Sequence, residues 1–578
     1  MPRPAPPDRP AARSSLLRLH ALRHRYGAGE GAAKLALIAA IERHVPRSAR
    51  AMRQYHDDLL FLRAFPDDGR VHAAACAALS HTAARVHAMA PVQRRQLDHS
   101  GMAGTQTRHA FAFGIARWLA GAGEDVDIEW GRFETPERLD PLLRLTLTQA
   151  EADAFDSGEL STREWLAMAR GGEGKGALSW LVDGDAPAAG AERAPDAAVT
   201  RLLYEGLDIP LRWRLTSARA STGNVVRGVP AHPRAAMRPA PADPVALIAT
   251  PLAAIERLAP ERAGAWLDAS RAALAARCRE VHAITYANRD EVYLADLGEG
   301  ATLCLIGAAR NDRLALEANY GYVLFSNGVP VGYGGVTPLA AQANTGVNVF
   351  DAFRHSEAAF LFAQALRAFR TLFGVTRFIV NPYQFGAGND EALASGAFWF
   401  YDRLGFRPAD ERVRKLADRE RARRASDHEH RSPSGTLRRL AAGDLVLELP
   451  GVARTPLFEE RWLVTLARAV TEALAAPDIP ARLARRDAGI DAVARALGIA
   501  GGGAAANGAG FGLSRLAPIL SLVLREVEGW PAADRRALRL LLEAKGSQQE
   551  RGFAVASRDH RRLWTALRRR CRALEGKR

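Results

Sequence analysis

The stretch Tyr320-Gly-Tyr-Val-Leu-Phe-Ser-Asn-Gly-Val-Pro-Val-Gly-Tyr-Gly-Gly-Val336 decides the fold of the central part of this chain. Two runs rich in aromatic and β-branched residues flank the pair Asn327-Gly328. Asn-Gly favours a type I′ turn, because both of its residues tolerate a positive φ. The sequence therefore predicts an antiparallel hairpin of strands 320–326 and 329–337.

Strands and helices alternate after this hairpin. Thr345–Phe350 is strand-like, and an amphipathic helix follows with Phe362, Leu366, Phe369 and Phe373 at helical spacing. Gly374 stands where a helix-ending glycine belongs. A buried strand at 378–380 and a helix over 397–404, ended by Gly405, come next. We expect one mixed sheet that holds 320–326, 329–337, 346–350 and 377–380, with helices from about 355 and 391 packed on it.

Further strand-like segments surround this centre. Residues 281–286 and 301–306 are strand-like on the N-terminal side, and 444–449 is a candidate last strand. Residues 411–442 are charged and arginine-rich, which is typical of an inserted surface helix or loop. The predicted fold class is a mixed α/β (α+β) sheet domain flanked by mainly helical N- and C-terminal regions.

Composition shifts along the chain predict its domain boundaries. We expect a disordered N-terminus at 1–15, a mainly helical region at 16–220, a linker or long loop rich in Pro, Gly and Ala at 221–244, the sheet domain at 245–450, and a helical C-terminal region with a basic tail at 451–578. A length of 578 residues is ample for several such units.

The positive net charge of +15 is weak evidence for nucleic-acid binding. Only five residues are lysines and 74 are arginines, which is the bias that a GC-rich genome produces without selection. The basic tail at 558–578 favours a solvated helix, with a weak nucleic-acid contact as the alternative. Four scattered cysteines, no apolar leader and no run of membrane-spanning length predict a cytoplasmic, bacterial-type protein with reduced thiols and no membrane partner.

Three local motifs carry little functional signal. Gly171–Gly176 lacks the first glycine and the Ser/Thr of a phosphate loop, and no strand precedes the glycine run 501–510. Asp427-His-Glu-His430 sits in a charged segment without a second group of ligands, so no metal site is expected.

The segment Arg354-His355-Ser356-Glu357-Ala358-Ala359 has a more specific pattern. It lies between a strand and the amphipathic helix, where free backbone N–H groups and the positive end of the helix dipole favour phosphate. Its place and its terminal residues resemble the Q/R-x-x-G-x-G/A loop of the GNAT acyltransferase family, which holds the coenzyme A pyrophosphate. Glu357 replaces a family glycine, and its carboxylate opposes phosphate unless it points away; if it opposes, Glu357→Gly tightens coenzyme A binding.

A second element of the same family is the helix pattern A-x-x-x-Y-x-x-x-G-F. Ala397, Tyr401, Gly405 and Phe406 fit it residue by residue. The asparagine often found three residues before the alanine is replaced by Ala394, and Asn389 is the nearest substitute. The resemblance covers about 280–450 and implies a GNAT-like fold in which two central strands splay apart.

The resemblance implies acyl transfer from acetyl-coenzyme A or another acyl-coenzyme A to an amine on a small molecule or a protein. Val349 and Phe350 then line the exposed strand edge that pairs with the pantetheine amides, and Arg354 to Ala359, with Asn389, belong to the coenzyme A site. Backbone N–H groups hold the oxyanion, and Tyr401 protonates the departing thiolate. Asp351 and Glu357 are the nearby carboxylates, but the sequence does not identify the base.

Two alternatives remain open at this point. A non-catalytic protein can keep the GNAT-like scaffold and use basic helices to hold RNA or another anion, because fold does not establish function. A catalytic protein can instead take its acyl group from an aminoacyl-tRNA, as some GNAT-like transferases do.

Overall fold

Helices and strands are interleaved in the part of the chain that the computed structural model describes. It comprises residues 10–171, 176–182, 197–216, 218–354, 356–451, 456–499 and 508–576. A large mixed sheet occupies the centre, and mainly helical segments precede and follow it. The predicted mixed α/β class with helical flanks is confirmed. Residues 1–9 of the expected disordered N-terminus lie outside the described ranges, and the first helix begins at Pro10.

The N-terminal region is mainly helical and also contains a small antiparallel sheet. Its helices are α1 (Pro10–Leu22), α2 (Glu30–Arg43), α3 (Ala49–Ala64), α4 (Gly69–Ser80), α5 (Thr82–Ala88), α6 (Pro91–Arg95), α7 (Phe113–Gly121), α8 (Asp140–Arg144), α9 (Gln149–Asp156), α10 (Thr162–Ala169), α11 (Ala177–Val182) and α12 (Ala197–Glu205). Its strands are β1 (Gln106–His109), β2 (Val126–Ile128) and β3 (Leu211–Arg214), in the order β1-β3-β2.

The central region holds the large sheet and the helices that cover it. The helices are α13 (Pro244–Ala249), α14 (Pro260–Ala275), α15 (His282–Thr285), α16 (Ala358–Phe373), α17 (Asp390–Ser395), α18 (Ala397–Arg403), α19 (Glu411–Ser426) and α20 (Ser434–Leu440). The strands are β4 (Glu256–Arg257), β5 (Ala287–Asp296), β6 (Ala301–Ala308), β7 (Tyr320–Ser326), β8 (Val329–Leu339), β9 (Gln342–Thr345), β10 (Asn348–Val349), β11 (Arg377–Val380), β12 (Arg407–Pro408) and β13 (Leu445–Glu448).

The described residues of the C-terminal region form helices that are joined by short loops. Its helices are α21 (Arg461–Ala473), α22 (Ile479–Leu497), α23 (Gly508–Leu520), α24 (Leu524–Glu528), α25 (Ala532–Lys545), α26 (Arg551–Asp559) and α27 (Arg561–Glu575). Arg313 fastens this region to the sheet, because its guanidinium donates to the carbonyl oxygens of Lys545, Ser547 and Gln548. One apolar core extends from Leu16 to Cys571 across all three regions. This shared core does not mark where one domain ends and the next begins, and the predicted domain boundaries stay predictions.

The large sheet has the strand order β12-β13-β11-β9-β8-β7-β6-β5-β4, and β10 also pairs with β8. The pairs are antiparallel except for β9 with β11, which run parallel. Side chains alternate between the two faces of a strand. Tyr320 and Tyr322 pack on α16 through Phe373 and Phe369, whereas Phe325 packs on Trp266 of α14. The sheet is therefore covered by α16 on one face and by α14 on the other.

The Asn-Gly hairpin forms as the sequence predicts. Asn327 and Gly328 have φ values of 50° and 73° between β7 and β8. Asn327 is also buried and holds neighbouring segments: its amide oxygen accepts from the His232 N–H, and its Nδ2 donates to the carbonyl oxygens of Ala64 and His232. The turn therefore fixes the hairpin and anchors two other segments of chain.

We expect Gly328→Ala to lower the free energy of unfolding by about 2 kcal/mol, because a side chain is strained at this positive φ. A Cβ here also meets the Val226 carbonyl oxygen at 2.6 Å. Urea denaturation followed by tryptophan fluorescence measures the loss. Gly443→Ala is the matched control, because its Cβ meets nothing within 4 Å. Equal losses in both variants contradict the role given to the turn.

Two predicted elements near the sheet have different forms in the structure. Val281–Tyr286 was expected to be a strand, which is wrong, since His282–Thr285 is the short helix α15. Its buried residues Ala283, Ile284 and Thr285 are consecutive, and Ile284 packs where Gly321 leaves room. A short apolar run does not distinguish a strand from a helix. The expected strand 345–350 is divided between the end of β9 and β10.

The segment 221–243 contains no helix or strand, as expected for a loop, but it is packed against its surroundings. The Val226 N–H donates to the Gly328 carbonyl and the Arg234 N–H to the Pro66 carbonyl. The loop therefore packs against the turn between β7 and β8 and against the segment after α3. None of the described helices is long and apolar enough to cross a membrane.

Candidate functional site

A cleft of about 1660 Å³ passes through the sheet at the place where β9 and β11 diverge. Its lining includes the strand segment 344–350, the first turn of α16, and residues of α17 and α18 on one side. On the other side it is lined by residues of α3 and of the segment after α14, such as Asp57 and Arg277. The cleft thus joins the two faces of the sheet.

The parallel strands β9 and β11 pair over only three residues. Arg377, Phe378 and Ile379 lie opposite Gln342, Ala343 and Asn344, and no later residue of β11 pairs with the strand segment 345–350. β10 continues along β8 in the register of β9. This divergence leaves the outer edge of 345–350 without a neighbouring strand among the described residues.

The backbone of Val349 faces this open edge. The Phe350 N–H donates to the Val331 carbonyl on β8, and hydrogen-bonded positions alternate along an antiparallel pair. The N–H and C=O of Val349 therefore point away from β8, into the cleft. Both Val349 and Phe350 line the cleft, where the sequence had placed them.

Two tyrosine hydroxyls form hydrogen bonds with the backbone of the segment that joins β9 to β10. Tyr322 donates to the Gly346 carbonyl at 2.6 Å, and the Val347 N–H donates to the Tyr401 hydroxyl oxygen at 3.3 Å. A Cβ on Gly334 would lie 2.2 Å from the Gly346 carbonyl oxygen. Glycine at 334 therefore permits the close approach that brings the strand to Tyr401.

Tyr401 lies on α18 with its ring buried and its hydroxyl group at the cleft. Its ring contacts Phe362, Phe385, Phe400 and Phe406. Burial raises the pKa of Tyr401 to about 12, so the hydroxyl keeps its proton at neutral pH. Its oxygen accepts one hydrogen bond, and its own hydrogen has no acceptor among the described residues.

The first turn of α16 opens onto the same cleft. Ala358 and Ala359 line it, and the first N–H groups of a helix have no partner within the helix. Ser356 also lines it, and its Oγ is buried without a hydrogen-bond partner in the described chain. Arg354 lines the cleft too, but it pairs with Asp351 and Glu391. His355 lies outside the described residues.

Glu357 points away from the cleft. Its side chain is fully buried, and its carboxylate pairs with Nε of Arg234 at 3.0 Å and with Nη2 of Arg238 at 2.5 Å. Both arginines come from the packed loop at 221–243. The carboxylate is therefore neutralised behind the helix, and the tighter coenzyme A binding expected of Glu357→Gly if the carboxylate faced phosphate is no longer expected.

Three arginines line the cleft beside α18, and the sequence motifs do not predict them: Arg403, Arg424 and Arg431. The guanidinium of Arg424 stacks 4.7 Å from the ring centre of Trp399. Burial lowers the pKa of Arg403, and Arg424 adds repulsion. Asn389 lines the same side, where it caps α17 by accepting from the Ala392 N–H. A chain with 74 arginines offers no compositional signal that would single these three out.

Four carboxylates line the cleft: Asp57, Glu280, Asp351 and Glu391. Asp351 is mostly exposed and pairs with Arg354. Glu280 accepts from the Ala112 N–H at 3.1 Å and from the Thr285 hydroxyl at 3.2 Å. Burial raises the pKa of Glu280, which brings it closer to neutral pH. Asp351 and Glu357 are the carboxylates that the sequence places near the site, and Glu280 is not among them.

Other sequence-derived candidates lie away from the cleft or outside the described residues. No group of three His, Cys, Asp or Glu side chains that could hold a metal occurs in the described ranges, and His430 contacts Glu420. Residues 172–175 and 501–507 of the two glycine-rich stretches are not described. Residues 561–575 of the basic tail form α27, whose face with Trp564, Leu567 and Cys571 is buried, and residues 577 and 578 are not described. Its nucleic-acid contact stays a prediction.

No known protein family, curated protein or solved structure matches this chain. The chemistry of the cleft therefore has to be inferred from its own residues.

Proposed function

We propose that this chain is an N-acyltransferase of the GNAT type, which transfers an acyl group from an acyl-coenzyme A to an amine. The observation that carries the proposal is the convergence of three features in one cleft. These are the unpaired strand edge at Val349, the first turn of α16 at Ala358 and Ala359, and the Tyr401 hydroxyl. The GNAT resemblance implies the same three features, and the divergence of β9 from β11 supports it.

An acyl-coenzyme A fits the groups present on the α16 side. The free N–H groups at Ala358 and Ala359 and the Ser356 hydroxyl suit the pyrophosphate, because a helix N-terminus favours negative charge. Arg403 and Arg424 add positive charge to the same wall. The backbone of Val349 offers a donor and an acceptor to the amides of a pantetheine arm. Glu357, directed away, does not oppose this binding.

The reaction needs a base, an electrophile and an acid. We assign Glu280 as the base that takes a proton from the acceptor ammonium, directly or through water, because it lines the cleft and burial raises its pKa, which makes the carboxylate a stronger base. The amine nitrogen then attacks the thioester carbonyl and the C–N bond forms. The nitrogen loses its second proton to water, and the C–S bond breaks as the carbonyl re-forms. Tyr401 keeps its proton until then, because its pKa is raised, gives it to the thiolate and regains a proton from solvent.

Calorimetric and thermal-shift titrations separate this proposal from its two rivals. Acetyl-coenzyme A should bind and raise the melting temperature, because a ligand that prefers the folded state stabilises it. Stabilisation by tRNA alone would favour the non-catalytic scaffold that holds RNA. Stabilisation by tRNA with acyl transfer from an aminoacyl-tRNA would favour the tRNA-dependent transferase.

We expect Ala359→Asp to weaken acetyl-coenzyme A binding by about tenfold or more, because it places a carboxylate beside the pyrophosphate. The same aspartate lies in the first turn of α16, where the helix dipole favours it, so the melting temperature should not fall. Isothermal titration calorimetry measures the affinity, and calorimetric unfolding measures the stability.

Ala532→Asp is the matched control for this variant. It places an aspartate in the first turn of α25, at an exposed position outside the cleft. Its affinity for acetyl-coenzyme A should equal that of the unmodified chain. Unchanged affinity in Ala359→Asp as well would remove the α16 terminus from the site.

A further inference from the structure

The side of the cleft opposite α16 has its own charged wall, which we call the α14 wall: Asp57, His99, Arg277, Arg279 and Glu280. Arg277 lies just after α14, and its guanidinium carbon stacks 4.3 Å from the ring centre of Phe350. Phe350 in turn packs on Tyr333 at 5.2 Å. The Arg277 side chain therefore lies beside the strand edge, on the face of the sheet away from α16.

Arg277 is a cation in the cleft without an anionic partner. Its Nη1 donates to the Ala273 carbonyl at 2.8 Å, and its other N–H groups have no acceptor among the described residues. It makes no ion pair in the described chain, although Asp57 and Asp351 are near enough to raise its pKa. Burial outweighs them and lowers the pKa to about 10, so the guanidinium stays charged at neutral pH.

Three other buried arginines among the described residues have more hydrogen-bond partners than Arg277. Arg234 pairs with Glu357, and Arg313 lies against Glu291 and donates to three carbonyl groups. Arg63 donates to the carbonyl oxygens of Ser221 and Thr222. A buried charge is costly unless it is paired, and a guanidinium has five N–H donors. The Nε groups of Arg63 and Arg313 are also buried without an acceptor. Arg277 differs from these three arginines because it lines the cleft and they do not.

We propose that Arg277, with Arg279 beside it, binds an anionic group of the acceptor, so that the acceptor is an amine that also carries a carboxylate or a phosphate. Arg279 is exposed on the same wall, and its guanidinium has no hydrogen bond or ion pair among the described residues. Guanidinium groups bind carboxylate and phosphate through paired N–H donors. This inference rests on the proposed function, because the bound amine is an acyl acceptor only if the protein is an acyltransferase. The anion site itself does not depend on acyl transfer.

The test is direct binding of matched amines, measured by calorimetry without a donor and again with saturating coenzyme A. The probes are L-phenylalanine with phenethylamine, L-lysine with cadaverine, and phosphoethanolamine with ethanolamine. In at least one pair, the amine with the carboxylate or phosphate should bind about tenfold or more tightly than its partner without that group. The first two pairs report a carboxylate site, and the third reports a phosphate site.

Substitutions at Arg277 show whether the preference comes from this side chain. Arg277→Ala should abolish the preference, Arg277→Lys should retain part of it, and Arg289→Ala, which removes an exposed arginine outside the cleft, should leave it unchanged. Equal binding of the amines with and without a carboxylate or phosphate, or an unchanged preference in Arg277→Ala, overturns the inference. So does weaker coenzyme A binding in Arg277→Ala without an effect on amines, because the anion would then belong to the donor.

The two proposals fail in different ways. Absence of acetyl-coenzyme A binding, with the Arg277-dependent amine preference intact, defeats the acyltransferase and leaves the anion site standing. Coenzyme A binding together with acyl transfer to amines that lack a carboxylate or phosphate, as readily as to amines that carry one, defeats only the anion site.

Discussion

Glu357→Gln should lower the free energy of unfolding by about 3–5 kcal/mol, the largest loss of stability that we expect from a single conservative change. Glutamine keeps the size of the side chain and removes its charge. Arg234 and Arg238, which are 1% and 15% exposed, then lose the carboxylate that neutralises them. Arg234 then remains buried without an anion, and Arg238 keeps only the exposed Glu299 at 4.0 Å. The uncompensated desolvation of these guanidinium groups is the source of the cost.

A double-mutant cycle with Arg234→Met tests this explanation. The two changes together should cost less than the sum of the separate losses, because removing both partners leaves less uncompensated charge. Glu543→Gln is the control, since Glu543 makes an exposed pair with Arg539 and should cost about 0.5 kcal/mol or less. Additive losses in the cycle, measured by urea denaturation, would contradict a role for the buried pair.

Local sequence signals predicted the elements whose ends depend on backbone conformation. Asn327 and Gly328 adopt the positive φ values of the turn, and Gly374, with φ 70°, ends α16 as expected. The last strand, β13, lies beside β11 near its predicted position. These features depend on residues a few positions apart, so propensity and periodicity are enough to find them.

The candidate site was only partly predictable, because several of its contacts join distant parts of the chain. Tyr401 and the first turn of α16 follow from motif spacing, and both reach the cleft. The pairing of Glu357 with Arg234 joins residues 123 positions apart, and no local pattern reports it. Arg277 and Glu280 lie next to the segment 281–286, which the sequence predicts as a strand and which contains the helix α15. Their place in the cleft depends on how α14 packs on the sheet.

Tyr401→Phe should reduce turnover by about 100-fold or more, within the range for loss of a general acid. Phenylalanine retains the ring contacts with Phe362, Phe385 and Phe406 and removes only the hydroxyl. The Val347 N–H loses its acceptor, which costs about 1 kcal/mol of stability. Because burial raises the pKa of Tyr401 to about 12, its deprotonation should not lower turnover of the unmodified chain between pH 6 and pH 9.

Tyr322→Phe is the matched control, because it removes another buried tyrosine hydroxyl that contacts the same strand segment. Tyr322 donates to the Gly346 carbonyl next to Val347, but it does not line the cleft. We expect this variant to lose stability and to keep turnover within a few-fold of the unmodified chain. Thiol release from acetyl-coenzyme A, measured with an amine found by the binding screen, gives the rates. An equal fall in both variants would mean that the strand needs both hydroxyls for its shape, and full activity in Tyr401→Phe would exclude Tyr401 as the proton donor.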